Sequence, residues 1–196
     1  MAGFAGLCWS GLAVSGFLDA LAAGSPAPAA GSAAALTLAQ AAALCAKSAR
    51  LSVRQLTAAV ADQLTHEAEQ IRATAASLID QDPLAYQGVL EALRRRADGP
   101  GEGGDQDAGV AAALSAAADV PLRVVELAVP VTALAATLAA DGNPALRGDA
   151  TAAGLMAQAA ARAAAWLVRI NLAGVPGDPR HARADALLAS IDERLG

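Results

Sequence analysis

The residues of this chain that could act on a substrate are few, and they are carboxylates and amides. Asp82 stands in "DQDPLAY" (80–86), Asn143 and Asp149 in "DGNPALRGD" (141–149), and Asn171 in "VRINL" (168–172). A carboxylate in a cleft can accept a proton or face a cationic substrate. An Asp directly before a proline also has the form of a helix N-cap with proline at the first helical position. Asp82 therefore carries two readings, and local pattern alone favours the cap. Asp149 carries the same two. Asn143 reads as a turn residue. Asn171, near the end of an apolar helix, needs its amide satisfied if buried, so it reads as a helix-end cap or a ligand contact.

Other chemistries lack the residues they need. The two histidines, His66 and His181, are far apart and have no triad or metal-site partners at any familiar spacing. No metal is expected. Cys8 and Cys45 form no CxxC pair and read as small buried apolar residues, a usage that suits a reducing, cytoplasmic setting. No phosphate-binding loop, dinucleotide fingerprint or HExxH is present. Arg123 and Arg169 read as surface residues, and Trp166 as core. A net charge of −5 and a pI near 4.9 give no footprint for a phosphate backbone, so no nucleic-acid partner is expected.

The elements that must position these residues are helices. Apolar residues make up 55% of the 196-residue chain while aromatics make up only 3%, so the core is built from Ala, Leu and Val. Alanine is the best helix former, and small side chains let helix axes approach closely. The expected fold is all-α, a single domain spanning 1–196, made of long antiparallel helices. A first helix runs from Ser10 or Ser15 to Ala23. The stretch "SPAPAAGSAAAL" (25–36) leads into a second, capped by Ser32 and reaching Ser48; it has no polar face, so other helices must surround it. A third, capped by Ser52, reaches Asp80, and a fourth starts at Asp82 and runs to Ala97. The Gly-rich acidic segment 98–107 reads as a flexible loop. The apolar run from Ala108 to Ala140 is interrupted by Pro121 and Pro130. A turn at 141–144, a helix from Asp149 to Leu172 and a short helix from Ala182 to Arg194 complete the chain.

Between Asp19 and Lys47 there is no charge at all, but Gly24, Pro26, Pro28 and Gly31 cut that run, so it is not read as a membrane span. The apolar N-terminus lacks a positive leading region and is interrupted by Asp19, so it reads as a core helix rather than a signal peptide.

Six segments occur in one order: "FLDAL" (17–21), "SPAPAAGSAAAL", "DQDPLAY", "ADVPLRVVELA" (118–128), "DGNPALRGD" and "VRINL". Together they resemble the cyclodeaminase/cyclohydrolase family, that of formiminotetrahydrofolate cyclodeaminase and bacterial methenyltetrahydrofolate cyclohydrolase. The resemblance implies an all-α homodimer with folate clefts near the subunit interface. The substrate it implies is a tetrahydrofolate derivative, with no separate cofactor. Asp82 matches the aspartate of the family's D-x-x-A-Y/F motif and is the implied catalytic group. Pro28, Gly31 and Ser32 match the family's Pro-x-Pro-Gly-Gly-Gly-Ser loop, and with Asn143, Asp149 and Asn171 they are the implied ligand-binding residues. The implied reactions are hydrolysis of 5,10-methenyltetrahydrofolate and cyclodeamination of 5-formiminotetrahydrofolate.

The sequence departs from that pattern in places. Ala29 and Ala30 replace two glycines, Gly148 stands where relatives have Ser, and Leu167 where they have Asn. The region after the fourth helix lacks the usual lysine motif; Lys47 is the only lysine of the chain. These departures motivate a second reading, the same fold acting on another C–N bond in a non-folate small molecule. A third is a non-catalytic helical dimer.

Overall fold

The computed structural model describes residues 8–98 and 103–195, with backbone only for 103–106. The described residues form seven α-helices and one 3-10 turn: α1 (Val14–Ala22), α2 (Ala30–Arg50), α3 (Ala58–Asp98), α4 (Gly103–Ala117), α5 (Asp119–Asp141), the turn Pro144–Leu146, α6 (Arg147–Asn171) and α7 (Pro179–Leu195).

Helix α2, charged only in its last turn at Lys47 and Arg50, lies at the centre, packed on α3, α5 and α6. Its buried face is Gly31, Ser32, Ala34, Ala35, Leu38, Ala39, Ala41, Ala42, Cys45, Ala46, Ser48 and Ala49. The buried face of α6 is nearly all alanine as well. Two such faces bring helix backbones close but fill little volume. The volume comes from α5, which buries Leu122, Val124, Val125, Leu127, Val131, Leu134 and Leu138 against them. Cross-links between helices fix their directions. The start of α2 meets the middle of α3 through Ser32 and Asp82. The end of α2 meets the start of α6 through Lys47 and Asp149. The end of α6 meets the α4–α5 junction through Asn171 and Ala117. Thus α3 and α6 run antiparallel to α2 and α5.

Several sequence expectations change. Asp82 and Pro83 do not open a fourth helix: α3 runs without a break through both, 41 residues long. Ser52 does not cap it. The Ser52 hydroxyl is buried and donates to the Ser48 carbonyl (2.7 Å), while the Thr57 hydroxyl accepts from Val60 N–H as α3 begins (3.3 Å). Of the expected loop 98–107, Asp98 ends α3 and residues 103–107 already belong to α4, while 99–102 lie outside the described residues. Trp166 is 60% exposed rather than core, and Cys8 is exposed rather than buried.

The run Asp107–Asp141 is long and apolar enough to cross a membrane. In this fold it is divided at Ala118 by Pro121, and α5 packs as core against α2, α3, α6 and α7. The N-terminal turn is held on α3 by Asp80, whose carboxylate accepts from Trp9 N–H (2.6 Å), Ser10 N–H (3.2 Å) and the Ser10 hydroxyl (2.5 Å).

Candidate active site

The central turn of α3 builds the site. Proline has no N–H, so Pro83 leaves the carbonyl of Ile79, four residues earlier, without its helical partner. The Ser32 hydroxyl fills that place, donating to Ile79 O at 2.8 Å. Ser32 was expected to cap its own helix. Instead α2 begins at Ala30 with no side-chain cap of its own, and Ser32 is its third residue. The first N–H groups of a helix have no internal partners and lie at the positive end of its dipole. One of them, Ser32 N–H, donates to Asp82 Oδ2 at 3.1 Å. Asp82 therefore does act at a helix N-terminus, but that of α2 rather than one of its own.

Gly31 makes room for this contact. A Cβ built there would overlap the Asp82 carboxylate, so glycine lets the carboxylate lie against the start of α2. Burial pushes the Asp82 carboxyl above its ordinary value, and the two hydrogen bonds from Ser32 pull it part of the way back.

Asp82 opens onto a cavity of about 170 Å³ lined by Pro26, Ala27, Ala29, Ala30, Gly31, Pro83, Tyr86, Pro121, Leu167, Ile170 and Asn171 as well. Asp82 and Tyr86 are one helical turn apart and share a face of α3. The opposite wall repeats the proline device. Pro121 leaves the Ala117 carbonyl without a helical donor, and Asn171 Nδ2 donates to it at 3.1 Å. That bond fixes the Asn171 amide and leaves Oδ1 as its remaining acceptor. Among the described residues no Lys, Arg or His lines the cavity, and Asp82 is its one carboxylate.

The structure thus brings Gly31, Ser32, Asp82 and Asn171 together. Pro28 is buried in the same loop, between the lining residues Ala27 and Ala29. Asn143 and Asp149 lie at the other end of α2, about 22 Å along the helix. Asn143 Oδ1 accepts from Ala145 N–H (3.1 Å), its Nδ2 donates to Leu51 O (3.1 Å), and its N–H donates to the Ser52 hydroxyl (2.9 Å). Asp149 sits in the first turn of α6 and pairs with Lys47 at 2.6 Å.

Tyr86, Ile170, Pro26 and Pro121 line the cavity but did not stand out as site residues. The signal for Tyr86 was its spacing of four from Asp82. For the others there was none, because an apolar wall looks like core in a sequence. Arg169 pairs with Asp185 and Arg123 with Glu126. His66 is exposed, and half-buried His181 faces Leu172 O at 3.3 Å. Cys45 is buried, its thiol pushed up to about 12 by desolvation. Among the described residues no three His, Cys, Asp or Glu side chains are grouped to hold a metal.

The sequence pattern of formiminotransferase-cyclodeaminase matches residues 13–187. The chain belongs to the formiminotransferase-cyclodeaminase family. Its fold is similar to that of formiminotetrahydrofolate cyclodeaminase from Thermotoga maritima, with a TM-score of 0.79. The two share 22% identity over 94% of this chain and 93% of that one. No curated protein sequence matches the chain. Within this formiminotransferase-cyclodeaminase fold, the "SPAPAAGSAAAL", "DQDPLAY", "ADVPLRVVELA" and "VRINL" segments all line the cavity, and the first two are joined there by the Ser32–Asp82 bond.

Proposed function

We propose that the protein acts on a one-carbon unit carried by tetrahydrofolate, hydrolysing 5,10-methenyltetrahydrofolate to 10-formyltetrahydrofolate, with Asp82 as the catalytic group. The observation that carries this reading is a single half-buried carboxylate facing an apolar cavity whose lining holds no cation. The methenyl bridge is an amidinium cation, and such a cavity complements it. Asp82 takes a proton from water as the water oxygen bonds to the methenyl carbon. It returns that proton to N5 as the C–N5 bond breaks. The hydroxyl proton of the intermediate leaves to solvent, so one cation and one water give 10-formyltetrahydrofolate and one proton. A carboxyl raised above its ordinary value is a stronger base in the first step, and it holds the proton it gains until N5 takes it in the second. Tyr86 offers a flat ring on the same helix face, and Asn171 Oδ1 an acceptor for a ring N–H. Cyclodeamination of 5-formiminotetrahydrofolate uses the same group to protonate departing ammonia.

The test is loss of the methenyl chromophore with purified protein against a protein-free control, with Asp82→Asn alongside. Rapid loss abolished by the substitution is expected. Loss no faster than the control would overturn the reading. It would favour the alternative that Ala29, Ala30 and Leu167, all in the cavity wall, fit it for a smaller non-folate imine or amidine.

The assembly we propose is a homodimer. Along α6, Leu155, Trp166 and Ile170 are 56%, 60% and 52% exposed, and Ile170 also lines the cavity. A second copy on this row would cover the apolar side chains and narrow the cavity mouth. Sedimentation of the wild type against Trp166→Glu checks it, with a dimer expected to become a monomer.

A further inference from the structure

We propose that Ser32 is a positioning residue for Asp82, and that Pro83 creates the place it occupies. The inference rests on the reading of Asp82 as the catalytic group only for its effect on turnover. A proline inside α3 has a known cost: it removes one ladder hydrogen bond and exposes a carbonyl. Here the exposed carbonyl, Ile79 O, is met by a hydroxyl from a different helix. The residue bearing that hydroxyl also presents its N–H to the Asp82 carboxylate, and its hydroxyl lies 3.5 Å from the same Oδ2. One residue therefore joins two points of α3, one helical turn apart, to the first turn of α2. The carbonyl fixes where α2 begins relative to α3, and the N–H fixes how the carboxylate faces the cavity.

Ser32 is fully buried, so it makes these contacts in place of any contact with a ligand. The other wall uses the same arrangement independently, with Asn171 filling the carbonyl that Pro121 leaves. Two prolines that line one cavity, each answered by a side chain from a neighbouring helix, make the helix gaps part of the site's construction. The role assigned to Ser32 is distinct from ligand binding: it never reaches the substrate and acts only through Asp82.

The test is a double-mutant cycle on the full chain: Ser32→Ala, Pro83→Ala and the pair. Alanine at 83 restores an N–H that can reach Ile79 O, so the hydroxyl loses its vacancy. The fall in urea midpoint caused by Ser32→Ala is expected to shrink by about half or more in the Pro83→Ala background. Equal falls in both backgrounds would overturn the proposal. Where Ser32→Ala alone does not fold, the paired variant is expected to fold, and failure of both would overturn it too.

The second readout is the titration of the Asp82 carboxyl, followed by carbon NMR on Asp-labelled protein and assigned with Asp82→Asn. Ser32→Ala keeps the backbone N–H but removes the hydroxyl that seats the start of α2 on Ile79 O, so the N–H bond to Asp82 loosens and the titration moves to higher pH. An unmoved titration would leave Ser32 a purely structural residue and sink the proposal. Neither measurement needs a substrate, so both stand whether or not the protein acts on folates. If turnover of the methenyl compound is found, Ser32→Ala is expected to lower kcat about ten-fold or more with little change in KM.

Discussion

The two ends of α2 are built from similar residues and do opposite things. Each end has buried serine, a nearby carboxylate and an asparagine from a distant segment. At the C-terminal end Ser52, Asn143 and Asp149 all bond to protein groups: Ser52 bonds Ser48 O and Asn143 N–H, Asn143 bonds three groups, and Asp149 pairs with Lys47. At the N-terminal end the carboxylate has no cationic partner among the cavity-lining residues and faces empty space. We read the N-terminal end as the candidate site because its carboxylate faces a cavity without a cationic partner, and the C-terminal end as a structural corner. Asn143 and Asp149 have the same residue types as the site and lie in the corner.

Substitutions can break or sharpen this contrast. Asp82→Asn carries the largest expected effect, a loss of about 10²–10⁴ in turnover with the fold intact. It also has a pH signature. The folded-state value of Asp82 lies above its unfolded value, so its contribution to stability is present in full below the unfolded value. That contribution is lost as pH rises through the raised one. Thermal melts across the carboxylate range should therefore show the wild type losing ground to Asp82→Asn as pH increases; the reverse trend would contradict a raised carboxyl.

Gly31→Ala comes next. The new methyl collides with the carboxylate, and such overpacking costs about 1–3 kcal/mol. Turnover should fall with stability, whereas a neutral outcome would mean the Asp82 carboxylate can swing away from α2 freely. At the opposite end Asn143→Ala should cost about 1 kcal/mol through the lost cap and leave kcat unchanged, by chemical denaturation and steady-state assay. A fall in kcat there would erase the distinction between site and corner. The smallest effect has the opposite sign. Ser48 Oγ is buried without a hydrogen-bond partner, so Ser48→Ala should raise stability by a few tenths to about 1 kcal/mol.

The helical architecture was legible because composition and capping are local properties. The uncharged run of α2 announced a central helix, and it is central. The course of α3 was not legible. "DQDP" has every local mark of a helix start, yet the helix continues, with a hydroxyl 47 residues away meeting the carbonyl that Pro83 leaves free. For the same reason Ser32 was read as a cap for the wrong partner. Asp82 could be picked out by its motif, yet its setting depends on Gly31, whose role appears only when α2 and α3 are brought together. Trp166 departs in the other direction: it reads as core, but its own face of α6 points outward.

The alanine-lined contact between α2 and α6 has a consequence for how this protein can be probed and how it can vary. Truncating side chains, the usual way to find the residues that hold a protein together, has nothing to remove there. An alanine scan would pass silently over the alanines of α2 and α6 and register mainly the larger buried residues around them, such as Leu38, Val125, Val131 and Ile191. Sensitivity runs the other way, toward growth. A single added methyl or methylene at Ala42, Ala46, Ala157 or Ala161 must force two backbones apart, because those positions are fully enclosed. The centre of the fold is thus restricted by size rather than by polarity, and its permitted sequence changes are confined to the smallest side chains.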